Sequence, residues 1–225
     1  MRTSVRDGVV RMREPEFGLP LFLALLVLMA FVLPALGLEG SDVRLYGDLA
    51  ASLMLVAGIA VASGERRLFV LSILMAVAAI VVRWATWVYP PGALGAWPQF
   101  VMCATVLLFS LVILRQVVRP GPVTTARVLG AIAVYLLLGI GWANAYHVSD
   151  HVFPGSFVAS TAQPIKVADW MYFSFVTLTT VGYGDIVPVH RVARSLATAE
   201  ALTGQLYIAV LLARLVSLEV SGRNR

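Results

Sequence analysis

Thr180-Val181-Gly182-Tyr183-Gly184-Asp185 decides the reading of this chain. The string follows Thr177-Leu178-Thr179 and precedes an apolar run of helix length. Glycine reaches left-handed backbone dihedrals without a Cβ penalty, and here it stands at alternate positions, 182 and 184. A loop in which alternate residues adopt such dihedrals can turn every carbonyl toward one axis. Carbonyl rings at suitable spacing replace the waters around a desolvating cation, and the Thr180 hydroxyl can extend the series at one end. A bare Gly-Tyr-Gly turn of no special use is common in any protein. The longer pattern Thr-x-x-Thr-Val-Gly-Tyr-Gly-Asp, starting at Thr177, is far more specific.

The rest of the chain sets that loop in a membrane. Sixty per cent of its 225 residues are hydrophobic and 13% are charged. The mean hydropathy of +0.87 lies outside the range of soluble domains. Crossing a hydrocarbon core of about 30 Å takes about 20 apolar residues in a helix. Five stretches before the loop meet that test, at 18–38, 45–63, 68–88, 97–118 and 126–146, and a sixth follows at 194–217. Residues 1–17 form a charged leader without a small-residue cleavage site, so the first span is expected to be retained. The single cysteine, Cys103, lies in an apolar run and is expected to be a buried packing residue, with no disulfide framework.

The net charge of +5 could point to anionic lipid or nucleic acid, but the placement of the charges points to topology. With a cytoplasmic amino terminus, the inner side receives the leader, Arg66, Arg67, Arg115, Arg119, Arg127, Arg214 and the tail, and the outer side only Arg44, Lys166, Arg191 and Arg194. Trp84, Trp87, Tyr89 and Trp97 read as an aromatic belt at one external hairpin end, with Trp142 and Tyr146 at another.

Short connections join the first four spans, as in an antiparallel four-helix unit over 18–118, and Arg119-Pro120-Gly121-Pro122 opens a linker over 119–125. Residues 126–218 form the second unit and 219–225 a short tail. Between Ala143 and Val167 the chain reads as a polar, irregular turret. Asp169 offers a helix cap, and Trp170–Thr179 is too short to span, so it is expected to be a re-entrant half-helix. Irregular backbone such as the loop is tolerated at membrane depth only inside protein or along a water-filled path.

Taken together, the region from Ala126 to Leu218 resembles the pore module of tetrameric potassium channels, in which four TVGYG loops line the pore. This is recognition of a known pattern. The full layout resembles the six-span, single-pore class, although over residues 1–118 the likeness is architectural. The resemblance implies an all-α membrane protein with six transmembrane helices and a re-entrant pore helix, assembled as a homotetramer among membrane lipids. It further implies K⁺ as the permeant ion at Thr180, Val181, Gly182 and Tyr183, with no cofactor. Gly184 completes the extended turn. Asp185 resembles the residue that anchors the outer filter through an aromatic on the pore helix; that aromatic is Tyr172 here, where many relatives have Trp. Val176 occupies a place where some bacterial relatives have Glu. Thr177 and Glu200 are further filter-support candidates, Glu200 being an ionisable group inside an apolar helix. It either contacts pore-helix hydroxyls behind the filter or snorkels to the outer interface.

Gly204 stands 20 positions after Gly184, the family's spacing for a hinge in the inner helix; close helix packing is the alternative. Ile208, Leu212 and Val216 follow at steps of four as candidates for an inner gate, with Ala209 or Ala213 as alternative lining. The fourth span carries one arginine, Arg115, where a voltage sensor needs several, because each charge crossing the field gains only about 2.3 kcal/mol per 100 mV. Arg83 and Asp48 fall toward the same end of their spans, as a structural ion pair. The short linker implies that each four-helix unit packs beside its own pore module, and the short tail implies no appended gating ring. His147, His151 and His190 read as solvated loop histidines. No phosphate loop, nucleophile elbow or zinc motif points to an enzyme.

The functional expectation is a K⁺-selective channel with weak or absent intrinsic voltage dependence, and no nucleic-acid partner. The alternatives are a non-selective cation channel and a non-conducting regulatory or assembly subunit. Arg-rich usage points to a bacterial plasma membrane with both termini cytoplasmic.

Overall fold

The computed structural model describes residues 18–36, 40–61, 66–89, 93–119, 123–161 and 164–223. The leader 1–17, the Pro-Gly-Pro core of the linker and the last two residues of the tail lie outside the described residues. Among the described residues six helices are long and apolar enough to cross a membrane: α1 (Gly18–Ala35), α2 (Gly40–Val61), α3 (Arg66–Val88), α4 (Trp97–Val118), α5 (Thr125–Val152) and α7 (Arg191–Arg223). Between the last two lies the twelve-residue α6 (Val167–Leu178), too short to span. Among the described residues the fold is all-α apart from one two-stranded ribbon, β1 (Phe157–Ala159) antiparallel to β2 (Ile186–Pro188).

Local chemistry explains the irregularities. Pro34 has no N–H to give the carbonyl four residues back, and α1 responds with a π-helical turn at Leu28–Val32, closed by Leu33 N–H donating to the Leu28 carbonyl. Helix α5 starts at the Thr124 cap, whose side chain accepts from the Arg127 amide. It runs to Val152, which corrects the expectation of an irregular turret from Ala143. Nothing breaks the helix before Pro154-Gly155, and Ala143, Tyr146 and Ser149 continue its buried face. His147 and His151 are therefore helical, His147 stacking on Trp170 at 6.4 Å. The turret then closes as the ribbon, with Ser160 N–H on the Asp185 carbonyl at 2.7 Å and Val189 N–H on the Ser156 carbonyl at 2.9 Å.

Each of α1 to α4 packs on its sequence neighbour, and the unit meets the second half through α4 and α1, both packed on α5. The main core gathers Phe22, Leu26, Met54, Leu55, Phe109 and Leu137, all fully buried. Gly58 admits the Phe109 ring so closely that a Cβ there would clash. Cys103 is half-buried, its thiol 3.8 Å from the Gly141 carbonyl. A second, aromatic cluster ties α5, α6 and the ribbon together. Tyr146, Phe157, Trp170 and Phe173 meet edge to face at 4.9–5.5 Å. Tyr146 is thus core, not the interfacial anchor its position suggested, because its ring faces α6 and α7 instead of lipid.

Candidate functional site

Helix α6 and the loop after it are held in fixed register. The helix begins at Val167, three residues before its expected start. Asp169 is therefore not the cap itself but a first-turn carboxylate, accepting the Lys166 N–H at 2.7 Å. At the other end the loop amides turn back onto the helix. Thr180 N–H donates to the Thr177 carbonyl at 2.9 Å, and the amides of Val181 and Gly182 to the Val176 carbonyl at 2.9 and 3.3 Å. With their N–H groups committed there, these residues leave their carbonyls unspent. Thr180, Gly182 and Gly184 have φ of 59°, 59° and 79°, a left-handed residue at every second position. The two glycines were legible as such; Thr180 was not, and a β-branched residue held there costs about 1–3 kcal/mol, strain typical of functional segments. Val181 and Tyr183 are exposed in the single chain.

Three side chains fasten the segment. At the outer end Tyr172 donates to Asp185 at 2.8 Å, and Asp185 also accepts the Ile186 amide at 3.1 Å. At the inner end the Gln205 amide donates to the Thr180 hydroxyl oxygen at 3.2 Å. Behind the loop, Glu200 is fully buried and receives Ser174 at 2.5 Å and the Tyr146 hydroxyl, joining α5, α6 and α7. Thr177 contributes through its backbone carbonyl. Gly204 sits where an added Cβ would clash with the Leu178 carbonyl, and α7 runs unbroken through it. The glycine brings α7 close enough for the neighbouring Gln205 to reach Thr180. Ile208, Leu212 and Val216 are all exposed, as are Ala209 and Ala213. Arg83 and Asp48 form an ion pair away from this site. Among the described residues no group of three His, Cys, Asp or Glu side chains is placed to hold a metal.

The Tyr172 hydroxyl is pushed up to about 12 by the hydrogen bond that its neutral form donates to Asp185. The contribution of this bond is present below the ordinary phenol value of about 10 and lost as pH rises through about 12. Tyr172 is 40% exposed, so the bond is expected near the low end for a net hydrogen bond, about 0.5 kcal/mol. Thermal unfolding of Tyr172→Phe against wild type at pH 8 and pH 11.5 checks this: the difference should shrink at the higher pH.

Residues 133–220 match the family described as Ion channel. Two pore potassium channel c of Oryza sativa subsp. japonica is 36% identical over 83 residues, 37% of this chain and 17% of that protein. Inward rectifier potassium channel Kirbac3.1 of Paramagnetospirillum magnetotacticum is 33% identical over 86 residues, 33% of this chain and 29% of the relative. Protein LctB of Geobacillus stearothermophilus is 38% identical over 88 residues, 39% of this chain and 60% of the relative. These comparisons support a potassium-channel family. The all-α architecture, with helices long and apolar enough to cross a membrane several times, accords with that similarity, and the chain spans less than two thirds of the length of each of these relatives. No solved structure matches the chain significantly.

Sequence reasoning anticipated a contact of Glu200 with a hydroxyl of α6, which Ser174 supplies, but overlooked Gln205 and the bond from Tyr146. A polar residue directly after Gly204 was a usable signal, since an inner helix otherwise rich in Leu, Ala and Val carries few. Tyr146 had no signal of its own, because it is one of many hydroxyls until Glu200 picks it out.

Proposed function

We propose that four copies of this chain form a K⁺-selective pore that passes the ion passively, with the carbonyls of Thr180, Val181, Gly182 and Tyr183 as its coordinating sites. The observation that carries the reading is the left-handed alternation at 180, 182 and 184, with the loop amides turned onto α6. Helix α7 supports assembly. Only 11% of its spanning window is buried within the chain, and Leu202, Leu206, Val210 and Leu212 are exposed on several faces. The division proposed is a four-helix unit over 18–118 and a pore module over 126–218. Contact between Phe31 and Phe175, with ring centroids at 5.0 Å, supports each unit lying beside its own pore module. Arg115, the lone arginine of α4, lies in its last turn, so intrinsic voltage dependence is weak or absent. Residence in a bacterial inner membrane with cytoplasmic termini accords with the arginine distribution.

Reconstitution of the purified chain in liposomes tests the reading: K⁺ uptake should far exceed Na⁺ uptake, and Thr180→Ala should lower it. Equal fluxes of the two ions would favour a non-selective pore, and no flux at any voltage a silent subunit.

Gln205 bears on the innermost site. When its amide donates to Thr180 Oγ1, it fills one lone pair and leaves the other for an ion. Gln205→Leu frees that hydroxyl to rotate, and block by internal Ba²⁺, which competes for the same oxygens, is expected to weaken about tenfold, the order of one net hydrogen bond. A Ba²⁺ titration of ion flux reads this directly; unchanged block removes Gln205 from the site.

A further inference from the structure

A crevice of about 360 Å³ lies between the four-helix unit and the pore module, at the end of the helices that carries the ribbon. Arg44 of α2, Arg83 of α3, Gln99 of α4 and His147 of α5 line it, and it reaches Val167, the first residue of α6. Its size falls within the usual range for small-molecule clefts.

The charges in it do not cancel. Asp48, 4% exposed, is committed on both oxygens: Oδ1 pairs with Arg83 Nε, and Oδ2 accepts from Trp87 Nε1 at 2.7 Å. Arg44 has neutral partners. Its Nη2 donates to the Thr86 carbonyl at 2.5 Å and the Thr86 hydroxyl at 2.6 Å, and its guanidinium lies over the Trp87 ring at 4.7 Å. A snorkelling arginine leaves its head free in the interface. This one is folded back and held by three contacts, and among the described residues the rest of its donor fork has no hydrogen-bond partner, while the side chain lines the crevice. Gln99, on the opposite wall, has its Oε1 buried with no hydrogen-bond partner among the described residues. A fixed guanidinium calls for an oxyanion, and an unpartnered amide oxygen calls for a donor.

We propose that this crevice binds a phosphate-class oxyanion that also carries a hydroxyl, either free hydrogenphosphate or the phosphoglycerol headgroup of an anionic lipid. Arg44 holds the phosphate oxygens beside Arg83, and Gln99 accepts from the hydroxyl. An occupant bridges α2 and α3 to the start of α6, so that the four-helix unit grips the pore helix through the ligand. Binding itself does not depend on the conduction reading.

The test uses the full chain purified in a phosphate-free non-ionic detergent. Inorganic phosphate, sulfate, and short-chain phosphatidylglycerol and phosphatidylcholine are each titrated calorimetrically. Saturable binding of phosphate identifies the free ion as a source, and binding of phosphatidylglycerol alone identifies the headgroup. Either supports the site if Arg44→Gln weakens it at least tenfold while Arg115→Gln, at the far end of α4, leaves it unchanged. Gln99→Leu is the second variant, expected to weaken binding several-fold without removing a charge. The proposal is overturned if neither phosphate nor phosphatidylglycerol binds saturably. It is equally overturned if both crevice variants bind like wild type, or if sulfate and phosphatidylcholine, which offer no hydroxyl, bind as well as their counterparts.

Discussion

Gly182→Asp is expected to abolish K⁺ uptake into liposomes, and Gly155→Asp to leave most of it. Both glycines have positive φ, 59° and 78°, and neither has an atom within 4 Å of a built Cβ in the single chain. The backbone demand is therefore matched, with a cost of about 1–2 kcal/mol for an L-residue at either position. What differs is location. Gly155 lies in the turret, while Gly182 is the middle of the three left-handed positions in the proposed filter. Four carboxylates brought together there would repel one another and obstruct the carbonyl rings. Uptake measured with a K⁺-sensitive dye, beside a chromatographic check that both variants assemble, decides the matter. Selective uptake surviving in Gly182→Asp would mean that ions cross elsewhere.

The second large effect concerns Glu200. Replacing it with Leu strands the Tyr146 hydroxyl in a fully buried position, at about 1–3 kcal/mol, and loosens the joint among α5, α6 and α7. Glu200→Gln should be far milder. The Ser174 hydroxyl lies 2.7 Å from the Gly139 carbonyl as well as 2.5 Å from Glu200, and has one hydrogen for the two. A Gln amide can donate to Ser174, leaving that hydrogen to Gly139, while its oxygen still accepts from Tyr146. Thermal unfolding of the assembled protein is expected to rank wild type close to Gln and well above Leu, with K⁺ flux lost fastest in Leu. A Gln variant as unstable as Leu would show that the joint requires a charge and not merely a matched set of donors and acceptors.

Much of this was legible beforehand because the signals are local. The spans follow from run length, and the half-helix from a run too short to cross. The left-handed bends at Gly182 and Gly184 follow from the alternation of glycine. Glu200 announced itself by being ionisable in an apolar helix. The rest depends on long-range pairing. Three-residue strands at Phe157–Ala159 and Ile186–Pro188 carry too little periodicity to read, and only their register to each other makes a ribbon. Tyr146 looks like any interfacial aromatic until α7 supplies Glu200, 54 positions away. The bend at Thr180 runs against the preference of a β-branched residue, so propensity points away from it.

The sparse burial of α7 has a consequence for biogenesis. Under the proposed function, a newly inserted protomer in a bilayer displays Gln205 and the backbone of the proposed filter to acyl chains, which offer no hydrogen-bond partners. Such an orphan carries a polar scar on an otherwise lipid-compatible surface, and the proposed joining of four copies would conceal it. Subunit pairing would then be driven by the same carbonyls that serve the ion, and membrane quality control would have a ready mark by which to tell unassembled chains from finished ones.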